Sequence, residues 1–187
     1  MSDLIDPRQF RQTIGLFATG VTVIATDVGG EVHAMTANAV SSLSLEPTLV
    51  LAAIGKRAKM AALLEQADGF SINILRQEQQ ALSNYFAGMW QEETPPPFRF
   101  VAWEGGPRLE GCLAALGCAR HQILDGGDHW IVTGQVVALH QGIEPRRQLL
   151  FYSGRYGRLD TTGSPSAPGL GWQAEPVQVF YDPWQRQ

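Results

Sequence analysis

Cysteine is scarce in this chain of 187 residues, which has only Cys112 and Cys118. Both fall in what reads as one strand, which would set them about 20 Å apart when extended. A disulfide needs Cα atoms about 4.4–6.8 Å apart, so the two cannot pair with each other. No C-x-x-C is present, which removes support for a zinc site or a dithiol redox centre, and no metal is expected. The two thiols are expected in the core, the usual place for free cysteine. Long apolar runs are also missing: the longest, residues 48–54 and 131–139, fall well short of the ~20 needed to cross a bilayer. The acidic, polar start lacks a signal-peptide pattern, and a cytoplasmic protein is expected. Nor is there an excess of positive charge, with Lys+Arg 14 against Asp+Glu 18 and a net charge of -4. Nothing in that balance attracts nucleic acid or anionic membrane, so any basic site must be local. The absence of G-x-G-x-x-G and of a βαβαβ rhythm excludes a doubly wound dinucleotide fold. With neither G-x-S-x-G nor a Cys–His signature, covalent catalysis has no support.

What is present is an ordinary globular composition, 44% apolar and 17% charged, in a chain long enough for one well-buried core. Asp6-Pro7 starts a helix, with Phe10, Ile14 and Phe17 at helical spacing, predicted to end near Thr19-Gly20. Residues 21–26 and 32–40 then read as a hairpin about Asp27-Val28-Gly29-Gly30. A continuous apolar strand at 48–54 is predicted to be central. A helix at 58–66, a strand at 70–74 and a helix at 77–86 follow, and Thr94-Pro95-Pro96-Pro97 breaks regular structure. Residues 111–124 and 130–139 form the clearest hairpin, about Asp125-Gly126-Gly127-Asp128. The fold class is therefore mainly β (α+β), largely antiparallel, a barrel with flanking helices. Residues 1–158 make the domain. Residues 159–187 make a linker, poor in apolar groups, and a tail with a short strand at 177–181.

Three segments offer chemistry. Thr36-Ala37-Asn38-Ala39-Val40-Ser41-Ser42-Leu43-Ser44 is crowded with small hydroxyl and amide groups that suit the edge of a flat heterocycle, though Ser and Thr also decorate turns. Gly55-Lys56-Arg57-Ala58-Lys59 sets three cations at a strand exit and helix start, where an anion such as phosphate would offset the unfavourable dipole; the alternative is a solvated charged turn. Gly126-Gly127-Asp128-His129 puts His129 at the start of a strand, either as a functional group or as a structural one. His121 lies across the same hairpin, but no carboxylate or cysteine spacing completes a metal site.

In order along residues 10–156, the chain resembles the flavin reductase-like family with an FMN-binding split barrel, particularly the reductase components of phenol and 4-hydroxyphenylacetate monooxygenases. The resemblance runs through Phe17-Ala18-Thr19-Gly20-Val21-Thr22-Val23, Met35-Thr36-Ala37-Asn38-Ala39, Ser42-Leu43-Ser44-Leu45 and Gly55-Lys56-Arg57-Ala58-Lys59-Met60. It continues in Ile72-Asn73-Ile74-Leu75, Leu82-Ser83-Asn84-Tyr85-Phe86-Ala87-Gly88, Gly127-Asp128-His129 and Leu150-Phe151-Tyr152-Ser153-Gly154-Arg155-Tyr156. It departs at His33-Ala34, where many relatives have His-Gly, and in a longer stretch after Arg158.

The resemblance implies a homodimer with flavin near the subunit interface. Thr36, Ala37, Asn38, Ser42 and Ser44 match the segment lining the isoalloxazine and ribityl chain, and Lys56, Arg57, Ala58 and Lys59 match the phosphate-binding stretch. Phe86 matches an aromatic beside the flavin, and His129 the histidine where nicotinamide binds. The implied activity is hydride transfer from NADH or NADPH to FMN or FAD, with reduced flavin diffusing to a partner monooxygenase. No strong acid or base is then required, which agrees with candidate segments that carry no carboxylate pair. Two rival expectations are a flavin carrier or sensor without turnover, and a pyridoxamine phosphate oxidase-like enzyme. The latter needs further Arg and His residues for a second phosphate that the sequence does not display.

Overall fold

The computed structural model describes residues 5–142 and 147–159. Helix α1 (Pro7–Ile14) begins at Asp6, whose carboxylate accepts the Arg8 N–H at 3.0 Å, with proline in the first turn. There follow β1 (Thr19–Gly20), β2 (Thr22–Val28), β3 (Glu31–Ala37), β4 (Val40–Leu45), β5 (Thr48–Gly55), α2 (Lys59–Leu64) and β6 (Gly69–Ile74). A single 3-10 turn, Gln77–Gln79, leads into α3 (Gln80–Phe86). The remainder is strand: β7 (Phe100–Val101), β8 (Arg108–Leu109), β9 (Ala114–Gly126), β10 (His129–Gln141), β11 (Leu150–Tyr152) and β12 (Arg155–Gly157).

Seven strands form one antiparallel sheet in the order β3-β2-β6-β9-β10-β5-β4. Its two edge strands, β3 and β4, are consecutive in the chain and joined by Asn38 and Ala39 alone. A link this short spans at most about 11 Å from Ala37 to Val40. The sheet therefore has to curl until its edges meet at that end, making a barrel split where β3 and β4 diverge. Val23 and Ile24, adjacent on β2, enter two different apolar clusters, so this strand is buried on both faces. One cluster packs α2 against the sheet through Met60, Ala61 and Leu64. The other gathers Leu75, Leu82, Leu109 and Leu149 beneath α3.

A buried polar bridge ties β8 to the sheet. Asn73 donates to Val23 O at 3.0 Å and to Ser71 Oγ at 2.8 Å, and it accepts the Leu109 N–H at 2.8 Å. Ser71 in turn donates to Pro107 O. Nearby, the turn through Gly105 and Gly106 lies backbone-to-backbone on β6 and β9: a Cβ at Gly69, Gly105 or Gly117 would overlap main-chain atoms, and one at Gly106 would come within 2.6 Å of the Phe70 carbonyl carbon.

Several expectations are corrected by contacts remote in sequence. α1 stops at Ile14 instead of reaching Thr19-Gly20, because Ser153 N–H captures Gly15 O at 2.8 Å and Thr19–Gly20 pair with β11. The strand predicted over 32–40 is divided at Asn38-Ala39 into β3 and β4. β5 is not central but one place in from an edge, with Val50, Ala52 and Ile54 buried on a single face. Cys112 precedes β9 instead of sharing the strand with Cys118, though both thiols are free and buried. The strand expected at 177–181, with the linker before it, lies outside the described residues.

Candidate functional site

The connection at Asn38-Ala39 opens onto a cavity of about 770 Å³ between α1, the outer face of β4 and β5, and the start of β10. Its walls include Phe10, Ile14, Phe17, Leu51 and Phe151, with Thr19, Asn38, Ser41, Arg11 and His129 as polar members; no carboxylate of the described residues lines it. Asn38 also lines a second cavity of about 310 Å³ that reaches Ile72, Ile74 and Leu116. Its Nδ2 donates to Thr19 Oγ1 at 3.2 Å.

His129 is placed by the two-residue turn Gly127-Asp128. Gly127 adopts φ +81, and its N–H bonds Asp125 Oδ1 at 3.0 Å, closing the β9–β10 hairpin. At the cross-strand positions His129 faces glycine on both sides, Gly126 on β9 and Gly55 on β5, so no side chain covers the imidazole there. Asp128 Oδ1 lies 2.7 Å from His129 Nδ1, and this hydrogen bond chiefly holds the Asp128 carboxyl below the usual range. With Nδ1 engaged, Nε2 is the nitrogen left to meet a ligand.

The other sequence candidates occupy three neighbouring places. Thr36, two residues before Asn38 on β3, donates through Oγ1 to Ser83 O of α3 at 2.7 Å. That helix presents Phe86 to a cluster with Tyr85, Phe98 and Phe100, at centroid distances of 5.0–5.9 Å. Ala37 packs against the α2 side of the core. Ser42 and Ser44 lie on the edge strand β4, Ser44 Oγ accepting Glu46 N–H at 3.2 Å; neither lines the large cavity, whose β4 hydroxyl is Ser41. The register sets this for Ser42, which opposes buried Val50 while Ser41 pairs with Leu51 on the outer face; Ser44, past a bulge, pairs with Leu49 farther along the strand.

At the β5 exit, Lys56 already has an ion-pair partner in Asp125 and lies 4.3 Å from the centroid of Trp130. Its N–H donates to Asp128 O at 3.0 Å, joining this exit to the His129 hairpin. Ala58 caps α2 with no side-chain hydrogen bond, and its carbonyl accepts the Ala61 N–H at 3.0 Å. Lys59 opens α2 close enough to β3 that its charge helps lower the pKa of His33, after burial.

Four groups were not singled out from the sequence: Arg11 and Ser41 in the large cavity, Asp128 beside His129, and Asn84 on α3, of which all but Arg11 lie in the segments named above. Asn84 Oδ1 is buried and lacks a hydrogen-bond partner among the described residues. The large cavity and its apolar walls fit the flat heterocycle that the resemblance implies. The only hint available in the sequence was the apolar pair Phe10 and Ile14, which bring Arg11 to the cavity on the same helix.

The flavin reductase like domain model matches residues 14–160. The reductase component of 4-hydroxyphenylacetate 3-monooxygenase from Thermus thermophilus is 42% identical over 150 residues, 80% of this chain and 95% of that protein. The solved flavin reductase PheA2 superposes with a TM-score of 0.78 at 42% identity, over 83% of this chain and 99% of that one. The NADH:FAD oxidoreductase SgcE6 of Streptomyces globisporus, solved with NAD and FAD fragments, gives a TM-score of 0.75 at 34% identity, over 87% and 99%. Family model, relatives and split-barrel neighbours agree with the curled antiparallel sheet described above, and the chain belongs to the flavin reductase-like family.

Proposed function

We propose that this protein is an NAD(P)H:flavin oxidoreductase that reduces FMN or FAD and releases it to a partner monooxygenase by diffusion. The observation that carries the proposal is the meeting of Asn38 and His129 in one apolar cavity free of carboxylates, in a chain of this family. When bound, the flavin supplies the redox chemistry, accepting at N5 a hydride from nicotinamide C4. The chain's own residues position and shield. Asn38 lines the cavity for the isoalloxazine directly, while Thr36, Ala37, Ser42, Ser44 and Phe86, which stand outside its walls, are assigned to the isoalloxazine and ribityl chain by the family resemblance alone. Arg57, Ala58 and Lys59, with Lys56 behind them on its own carboxylate, face the phosphate. His129, oriented by Asp128, orders the nicotinamide. The apolar walls exclude water, and alignment does the rest.

The working form is a homodimer. α1 has no buried residue; Phe10 is 59% and Phe17 72% exposed, and Leu43 and Leu45 are exposed on the edge strand β4. An apolar surface of this extent next to the cavity calls for a second copy. Light scattering at micromolar concentration should give twice 20.4 kDa. No helix among the described residues is long and apolar enough to cross a membrane, and the proposed location is the cytoplasm. The decisive assay mixes purified protein with each pairing of NADH or NADPH and FMN or FAD. Rapid oxidation of the nicotinamide supports the reading, whereas tight flavin binding without turnover refutes it in favour of a carrier.

A further inference from the structure

Arg11 enters the large cavity from α1, on the same helix as Phe10 and Ile14. Among the described residues that line it, Arg11 and His129 are the two that can carry positive charge, and none carries negative charge. Arg11 takes part in none of the salt bridges formed among the described residues. Its field reaches the hairpin, where it makes a small contribution to holding the Asp128 carboxyl low, after the larger effect of His129. The backbone beneath it is anchored: Arg11 O accepts Gly15 N–H at 3.0 Å, and Gly15 O accepts Ser153 N–H at 2.8 Å. A guanidinium on this anchored turn, bordering an apolar cavity lined by no carboxylate of the described residues, offers a planar fork of donors that suits phosphate oxygens.

We propose that Arg11 binds a phosphate group of the nicotinamide dinucleotide whose nicotinamide end meets His129. The inference rests on the reading of His129 above and extends it from the reacting ring to the rest of the donor. Two phosphate sources exist, the pyrophosphate shared by NADH and NADPH and the 2′-phosphate of NADPH alone.

The test uses the full chain saturated with FMN and three hydride donors: NADH, NADPH and 1-benzyl-1,4-dihydronicotinamide, which keeps the reacting ring and has no phosphate. Arg11→Ala should raise KM for NADH about tenfold, the loss of one charge-assisted bond at an exposed site. It should leave kcat and the KM for the benzyl donor unchanged, and Arg11→Lys should recover part of the loss. An equal rise for NADH and NADPH assigns the pyrophosphate; a rise confined to NADPH assigns the 2′-phosphate. KM values that stay put, or that rise alike for all three donors, overturn the proposal. So does a rise in the FMN Kd with the donors unmoved, which would hand Arg11 to the flavin. His129→Ala run in parallel separates the two readings. If His129 does not order the ring, its variant leaves all three donors unchanged while the phosphate-selective effect of Arg11→Ala persists. If only Arg11 is misread, the His129 effect stands alone.

Discussion

Replacing Asn73 with alanine should be among the most damaging single changes in the barrel, although this residue lines neither cavity described above. Asn73 is 0% exposed and links three segments, through Val23 O, Ser71 Oγ and Leu109 N–H. Each bond contributes about 1 kcal/mol net, and leaving the fully buried Leu109 N–H without its acceptor costs about 1–3 kcal/mol more. The sum, about 4–6 kcal/mol, rivals the whole stability of a small domain, about 5–15 kcal/mol. Asn73→Leu conserves volume while losing the same bonds and should be nearly as destabilising, which separates the polar term from a cavity. The assay is urea unfolding of the flavin-free protein followed by tryptophan fluorescence. Because β8 pairs with β7, whose Phe100 packs 5.9 Å from Phe86, flavin affinity should fall as well. A loss under about 1 kcal/mol for both variants would refute the view that this amide holds the β7–β8 ribbon in place.

His129→Ala should raise the KM for NAD(P)H and slow flavin reduction in stopped flow, by up to about 100-fold through misalignment, with the flavin Kd unchanged; unaltered donor affinity and rate would return His129 to a structural role. Lys59→Ala should weaken FMN by about 10- to 100-fold, the loss of one charge-assisted bond, while riboflavin, which lacks the phosphate, is unaffected. In the same variant the His33 pKa, lowered first by burial and then by Lys59, should move upward when followed by NMR, and a static His33 would show that Lys59 does not approach β3. Burial pushes the Cys118 thiol from 9.0 up to about 12, so the folded chain holds this proton where the unfolded chain releases it. The stability this contributes is complete below pH 9 and is lost between pH 9 and 12, about 4 kcal/mol at the limit. Cys118→Ala should therefore flatten the alkaline fall in unfolding midpoint, and parallel curves for the two proteins would contradict the shift.

Local signals were readable where the chain folds on itself. The β9–β10 hairpin declares itself in Asp125-Gly126-Gly127-Asp128, and α1 in Asp6-Pro7, because a turn and an N-cap depend on a few adjacent residues. The end of α1 was not readable, since it is set by Ser153, and neither was the break between β3 and β4, since small polar residues at 36–44 fit one strand as well as two. The candidate site was legible as three motifs but not as a geometry. Asn38 and His129 share a cavity because β10 pairs with β5 and β5 with β4, a long-range register. Arg11 had only the hint of Phe10 and Ile14 on the same helix, and Asn84 lay unremarked in the Leu82-to-Gly88 segment, because its missing partner shows only once the neighbours are in place.

The backbone-to-backbone seam at Gly69, Gly105, Gly106 and Gly117 has a consequence for anyone mapping this enzyme by saturation mutagenesis. All four positions would reject nearly every substitution in a growth or activity screen, as sharply as His129, and three of them would form a compact patch with Glu104 and Cys118. A heat map alone would mark that patch as a second active centre. Scoring abundance beside activity tells the two apart, since variants on the seam should vanish from the soluble fraction, whereas variants at His129 should accumulate normally and fail only in turnover.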